Sequence, residues 1–390
     1  MKATEHKNTT ISINSKLLAT ALATLSKVIM ANPIVPIIEN VHASTHNGIL
    51  TLKASDMRTT LVTTLAYNQK IGETDTVFLI PHKLSLDLLK SLPDIAITME
   101  HQEVGINNSF KLTFRFDKQK YSMETESPVD FPKAPDINGE EFELPADQLQ
   151  EGLKYCLNAV SDDDFRPAMQ GVYFDTDSSS NITLVSTNGH AIIMYEMKVS
   201  GIEKVSFILR SSAAQAVLDI ISPSNETITI TKSINAVKID LGSYIIISQQ
   251  IDERYPDFNS AVPKDYPNTV SVNLNDWRSL VNRSILFANR TTGGIRNGFS
   301  NGKLNISSED MDYNTESNQE IEIDSDSPFE ATAIGINGKL MQKVTRPASG
   351  LVNVSFSTHN RMLLLSVPNS LAESIKIGIM PVMLAEHATL

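Results

Sequence analysis

A single cysteine, Cys156, occurs in 390 residues. No intramolecular disulfide can form, and a reducing, cytoplasmic setting is expected. Tyr155 and Leu157 flank it in a helical pattern, so a buried thiol is expected. No stretch approaches the roughly 18 apolar residues of a membrane span, and no membrane partner is expected. The opening MKATEHKNTT holds no apolar core of a signal peptide. A GxxxxGK[ST] nucleotide cradle is missing; Gly293-Gly294 lacks its spacing and its lysine and reads as a loop. HExxH and paired Cys/His patterns are missing too, so neither metal nor cofactor is expected. Asp162-Asp163-Asp164 reads as a solvated loop at a helix end, in preference to a Mg²⁺ site. His190 has no nucleophile or orienting carboxylate placed with it, so it reads as part of a turn and not as a general base. Triplets such as Asn181-Ile182-Thr183 have no glycosylation meaning without a secretory signal. These absences leave no catalytic constellation, and the chain is expected not to be an enzyme.

Positive charge is also short. Lys and Arg number 33 against 45 Asp and Glu, a formal net charge of −12. Taken as a sum this opposes nucleic-acid binding, because phosphate contacts need cations. A ring can nevertheless be acidic outside and basic only along its hole, so the distribution matters more than the total.

What is present is a repeat. The length suggests two or three domains, each long enough for its own core. One pattern recurs about every 130 residues, too long for a solenoid and fitting duplicated domains. Each copy opens with apolar residues at helical spacing: Leu17 to Met30, Leu149 to Val160 and Trp277 to Ala288. Each then runs into strands that alternate apolar and polar residues, ending at Leu50–Asp56, Ile182–Asn188 and Leu304–Asp310. The second half repeats the plan. A short strand leads into His82 to Leu92, Ser211 to Ile221 and Asn337 to Val344 as helices, with strands such as Ile228–Thr231 and Val352–Phe356 after them. Six helix-plus-strand half-units result. Pro128-Val129-Asp130-Phe131-Pro132 and Tyr255-Pro256-Asp257-Phe258 read as extended linkers. The expected domains are 1–137, 138–265 and 266–390.

Four segments carry a resemblance over residues 10–384. They are Asn32 to Asn40 (NPIVPIIEN), Arg166-Pro167 with Gly171, Thr187-Asn188-Gly189-His190, and Ile379-Met380-Pro381-Val382-Met383-Leu384. In order and on a threefold repeat, they resemble the β subunit of bacterial DNA polymerase III, the DNA sliding clamp. The resemblance implies an α+β clamp fold: three similar domains, each with two helices packed on antiparallel sheets, and a head-to-tail homodimeric ring. Helices would line the hole. Topology would then hold the DNA, and sliding needs only weak phosphate contacts without base readout. Lys16, Lys27, Lys83, Lys90, Lys154, Arg210, Arg278, Arg283, Lys339 and Lys343 are the candidates to face non-specifically bound duplex DNA, the alternative being ordinary solvated helix faces.

The resemblance also implies a cleft that receives short hydrophobic peptide motifs from DNA polymerase, clamp loader and repair proteins. Its positions here are Arg166, Met169, Thr187, Gly189, His190, Ile192, Pro256, Ala261, Met380, Pro381, Val382 and Leu384. An apolar pocket with a few polar groups suits Leu or Phe anchors. Ala191, Ser260 and Met383 stand where the family often has Arg, which removes polar clamping; Asn32 replaces an Arg of some relatives. Six residues continue past Leu384, where the family typically stops. Tyr121, Met123, Ile285 and Leu286 match the subunit contact, or else are ordinary core. Loading is expected to need a separate ATP-driven loader. A clamp-fold scaffold without normal DNA loading is the alternative; an enzyme on nucleic acid is a third reading with no residues to support it.

Overall fold

The structure is a computed structural model. It describes residues 9–68, 75–104, 109–176, 181–199, 204–325, 328–369 and 371–384. The tail after Leu384 lies outside the described residues.

The first third holds β1 (Thr9–Asn14), α1 (Ser15–Leu25), β2 (Asn40–His46), β3 (Ile49–Ser55), β4 (Thr59–Ala66), β5 (Thr76–Pro81), α2 (His82–Ser91), β6 (Ala96–Val104), β7 (Ser109–Phe116) and β8 (Gln119–Thr125). The second holds β9 (Glu140–Pro145), α3 (Ala146–Cys156), β10 (Gly171–Thr176), β11 (Asn181–Thr187), β12 (Ala191–Lys198), β13 (Ser206–Arg210), α4 (Ser211–Ile220), β14 (Thr227–Lys232), β15 (Ala236–Asp240), β16 (Tyr244–Gln249) and the short α5 (Phe258–Ala261). The third holds β17 (Asn268–Asn273), α6 (Leu274–Ile285), β18 (Gly294–Ser300), β19 (Lys303–Asp310), β20 (Thr315–Glu322), β21 (Asp324–Ser325), β22 (Thr332–Asn337), α7 (Gly338–Val344), β23 (Leu351–Phe356), β24 (Leu363–Ser366) and β25 (Ser374–Ile379).

Local chemistry sets the helix starts. Asn14 accepts hydrogen bonds from the Lys16 and Leu17 amides, Asn273 from those of Asn275 and Asp276, and Asn337 from that of Leu340. Such caps satisfy amides that have no partner within the helix. The first helix of each third begins two or three residues before the expected Leu17, Leu149 and Trp277, with an asparagine cap in α1 and α6 but none in α3, and ends near Leu25, Cys156 and Ile285, short of the expected ends. Both expected linkers need correction. Pro128–Asp130 is a 3₁₀ turn capped by Ser127, with proline at the position where its missing N–H costs nothing. In the other, Asp257 accepts from the Ser260 amide and starts α5. Tyr255 and Phe258 are buried there, so that joint is part of a core.

The chain forms two compact units, Met1–Leu144 with Gln215–Gln250, and Pro145–Ala214 with Ile251–Leu390. The first contains a four-stranded sheet, β1-β6-β7-β8, and an eight-stranded one, β5-β2-β3-β4-β16-β15-β14-β9. The second contains a nine-stranded sheet, β13-β10-β11-β12-β25-β24-β23-β17-β21, and a four-stranded one, β20-β19-β18-β22. The expected six half-units are visible in this order as six groups of four strands, with β21 added. Two pairs of groups join edge to edge and antiparallel, through β4 with β16 and β12 with β25.

The cores follow from strand alternation. In the second unit Trp277 of α6 is fully buried, and its Nε1 donates to the equally buried Asn297 at 2.9 Å. Its ring meets Phe299 edge-on, and Phe299 stacks on Phe356 at 4.5 Å. In the first unit His101 lies between Phe78 and Phe110, at 5.0 and 5.4 Å. Neither of its ring nitrogens has a partner among the described residues. Burial holds its pKa down to about 4. Cys156 is buried in α3 as expected, its Sγ donating to the Leu184 carbonyl, and burial pushes the thiol up to about 12. It is an inert core thiol.

Candidate functional site

The cleft residues named from sequence all belong to the second unit. Their centre is the turn between β11 and β12. Asn188 Oδ1 accepts from the His190 and Ala191 amides at 2.9 and 2.8 Å, and Thr187 Oγ1 donates to the Ala191 carbonyl at 2.7 Å. Gly189 sits at φ +84°, where a side chain would be strained. A Cβ there would also stand 2.7 Å from Arg166 Nη1, so the glycine lets the guanidinium cross the turn. Asp163 pairs with Arg166 at 3.4 Å.

The C-terminal segment is tied to this turn. The Met380 amide donates to the His190 carbonyl, and the Val382 amide to the Gly335 carbonyl, both at 2.8 Å. A Cβ on Gly335 would lie 2.5 Å from the Val382 carbonyl oxygen and 2.8 Å from Leu384, so a glycine at 335 permits the crossing. Gly378 likewise leaves room for Met362 and Ile192.

Beneath lies an apolar cluster of Val185, Ile192, Ile208, Ile251, Tyr255, Phe258 and Met362, with Ala168, Tyr173, Met194 and Val262 packed on it. Tyr173 and Tyr255 stack at 4.5 Å, 7° from parallel, and Phe258 meets Tyr173 edge-on. Burial raises the pKa of both tyrosine hydroxyls, so both stay neutral. Of the sequence-named residues only Ile192 belongs to this cluster. Thr187, Gly189, His190 and Arg166 border it through the turn, and Pro256 and Ala261 flank its Tyr255 and Phe258 in sequence. Met169 contributes a backbone bond to the Arg166 carbonyl, and Leu384 packs at Gly335. Ser260, at an expected Arg position, is bonded to Asp257 Oδ2 at 2.5 Å. That hydrogen bond first, and the Ser260 amide second, hold the exposed Asp257 carboxyl below its usual range.

The basic candidates divide by what already holds them. Lys27 pairs with Asp219 at 3.0 Å. Arg278 donates to the Thr345 and Arg346 carbonyls and to Asn275, fastening α6 to the end of α7. Arg283 donates to Gln319 and Ser279. Arg210 is half-buried and engaged. Lys16, Lys83, Lys90, Lys154, Lys339 and Lys343 are exposed on α1, α2, α3 and α7. Of the expected subunit-contact residues, Tyr121 and Leu286 are 40% and 79% exposed. Met123 turns inward, its Sδ accepting from Ser85 Oγ, and Ile285 packs beside Gly338. Among the described residues no three His, Cys, Asp or Glu side chains come close enough to hold a metal. No helix there is long and apolar enough to cross a membrane.

Helix-backed half-sheets joined edge to edge, with a strapped apolar cleft, define a clamp fold. The DNA polymerase III subunit beta of Pseudomonas aeruginosa superposes with TM-score 0.87, over 96% of this chain and all of that one, at 18% identity. The corresponding Thermotoga maritima subunit gives 0.84, over 96% of this chain and 100% of that one, at 18% identity. In sequence, the Beta sliding clamp of Proteus mirabilis is 23% identical over 300 residues, 75% of this chain and 79% of that protein. That of Haemophilus influenzae is 22% identical over 309 residues, 77% and 81%. Family models of the DNA polymerase III beta subunit match the N-terminal domain over residues 9–135 and the central domain over 143–257, together more than half the chain. The chain belongs to the DNA polymerase III beta subunit family, the sliding clamps, which are processivity factors and not enzymes.

Proposed function

We propose that two copies of this chain join head to tail into a ring around duplex DNA, each copy built of domains 1–137, 138–265 and 266–390. The observation that carries this reading is a pair of open edges. β8 ends one four-stranded sheet and β20 ends the other, and neither has a further neighbour among the described strands. Edge strands left bare are templates for pairing. Lys120, with Lys118 just before it, is exposed on β8; Glu316, Glu320 and Glu322 are exposed on β20, Glu320 also pairing with Lys303 at 3.0 Å. Pairing β8 of one copy with β20 of the next sets Lys118 and Lys120 against the glutamates of β20 and closes a two-membered ring. Tyr121 and Leu286 become buried at that joint.

Lys16, Lys83, Lys90, Lys154, Lys339 and Lys343 then supply weak, sequence-independent phosphate contacts. Lys27, Arg210, Arg278 and Arg283 hold the structure together and contribute less to DNA. The cleft over Tyr173, Tyr255 and Met362 receives short apolar peptide segments of DNA polymerase, clamp loader and repair proteins, in the cytoplasm. A Bartonella birtlesii clamp of the same fold (TM-score 0.86) is known bound to griselimycin, which supports a ligand-accepting cleft. The scaffold alternative has no observation in its favour.

The test is retention on nicked circular plasmid after assembly by a clamp loader. Retention that is lost when the plasmid is linearised is the expected result. Equal loss from circular and linear DNA contradicts encirclement.

A further inference from the structure

The outer face of the β20-β19-β18-β22 sheet carries a trough of about 670 Å³. Strand alternation buries Ile295, Asn297 and Phe299 of β18 on the inner face and turns Gly294, Arg296 and Gly298 outward. Two of those three have no side chain, and Gly335 stands opposite Arg296 on β22. The missing side chains make the depression. Arg296 is half-buried in it and has no ion-pair or hydrogen-bond partner among the described residues. Its Nη1 lies 4.0 Å from where a Cβ of Gly298 would stand, so the guanidinium extends over that glycine.

At the other end of the trough Glu309 and Glu316 face each other directly across β19 and β20. Both are exposed, and neither has a cationic partner among the described residues. Like charges directly opposite one another weaken a strand pair unless something neutralises them. Arg296 does not, although its register partner Ser307 is only two residues from Glu309. Its head group points the other way, toward Gly298. One trough therefore holds two unneutralised poles of opposite sign. Glu309 is level with Gly294 by continuation of the register, so the poles are four residues apart along β18, about 13 Å at the strand rise. Leu384, packed on Gly335 at the row midway between them, and the 98% exposed Met383 form an apolar rim.

We propose that this face binds an extended peptide of a partner protein that carries opposite charges four residues apart with an apolar residue between them. In an extended chain, side chains at i, i+2 and i+4 share one face. A basic side chain meets Glu309 and Glu316, an acidic one meets Arg296, and the apolar one meets Leu384. The site lies on the outer sheet face and shares only Leu384 with the residues of the cleft, and Arg296 and Glu309 lie outside the proposed β8–β20 joint, so it stands whether or not the chain closes a ring.

The probe is a fluorescein-labelled nine-residue peptide with Lys at position 3, Leu at 5, Glu at 7 and Ser or Thr elsewhere, titrated into the full chain. One control moves Glu to position 6, the opposite face of an extended peptide; the other replaces both charges with Gln. The parent is expected to bind about tenfold tighter than either control, and R296Q or E309Q to abolish that preference. Retention on circular DNA is expected to be unchanged in these variants. Equal binding of parent and opposite-face control by the unaltered chain overturns the proposal, as does no binding of the parent at millimolar peptide. Binding only after removal of residues 385–390 also overturns it, in favour of the chain's own terminus as occupant.

Discussion

The edges joined within the chain and the edges left open are built from different residues. β4 and β16 meet through Thr59–Thr63 and Tyr244–Ser248, a pairing without a single charge. β12 and β25 meet through Ala191–Glu196 and Ser374–Ile379, with one acidic and one basic residue that are not directly opposite. Open β8 carries Lys120 and Glu124, and open β20 carries Glu316, Glu320 and Glu322. A joint that forms once, inside a folding chain, can use β-branched apolar residues. An edge that must stay soluble until its partner arrives is better protected by charge, which also selects the complementary edge.

A charge placed at a joined edge is expected to be far more costly than one placed at an open edge. Ile246 is fully buried opposite Leu61. Ile246→Asp leaves a buried carboxylate without a partner and is expected to cost about 4 kcal/mol or more, read by urea denaturation. Glu320→Lys on the open edge loses only an exposed pair with Lys303 and is expected to change the unfolding free energy of the monomer by no more than about 1 kcal/mol. Next in size is the association itself. Lys118→Glu with Lys120→Glu is expected to weaken dimerisation by at least about tenfold, seen as loss of the dimer on dilution, with partial recovery when Glu316→Lys and Glu320→Lys are present in the partner copy. Dimerisation unchanged by the reversal would remove the edges from the account.

A further substitution separates the edges from the cleft. Ala261→Asp puts a charge at the exposed rim of the Tyr255–Phe258 floor. It is expected to lower the affinity of a Leu- or Phe-anchored peptide about tenfold in fluorescence anisotropy while dimer mass is unchanged. The smallest effect concerns pH. His101 is buried with its pKa depressed from 6.5 to about 4, so the unfolded chain binds more protons than the folded one between those values. Stability is therefore full above about pH 6.5 and is lost as pH falls toward 4. His101→Phe, which keeps a ring between Phe78 and Phe110, is expected to flatten the melting temperature across that window; an equal acid shift in both proteins would assign it to other groups, half-buried His42 and buried His82 among them.

Much of this was legible in the residues. The threefold pattern, both helices of each copy and the Thr187–His190 turn are set by short-range signals of spacing and turn chemistry. The early helix starts had a signal too, in Asn14 and Asn273, whose side chains outrank apolar periodicity at a helix end. The floor of the cleft had none. Tyr173, Tyr255 and Met362 lie on separate segments far apart in the sequence and meet only through the β12–β25 joint and the backbone bond from Ile251 to Ile208. Partnering of charges was equally hidden: nothing local distinguishes Lys27, just after α1 and held by Asp219, from Lys16 at the start of α1. The bipolar trough was beyond reach for the same reason, since Arg296, Glu309 and Glu316 share a face only through strand register.

The most direct test of the open-edge pairing is the mass of the unaltered chain by light scattering over a dilution series at low salt. About twice the 42.9 kDa chain mass, persisting to nanomolar concentration and falling as salt screens the Lys–Glu edges, is the predicted result. A stable 42.9 kDa species at every concentration would contradict it and leave β8 and β20 as edges guarded by charge but not joined by it.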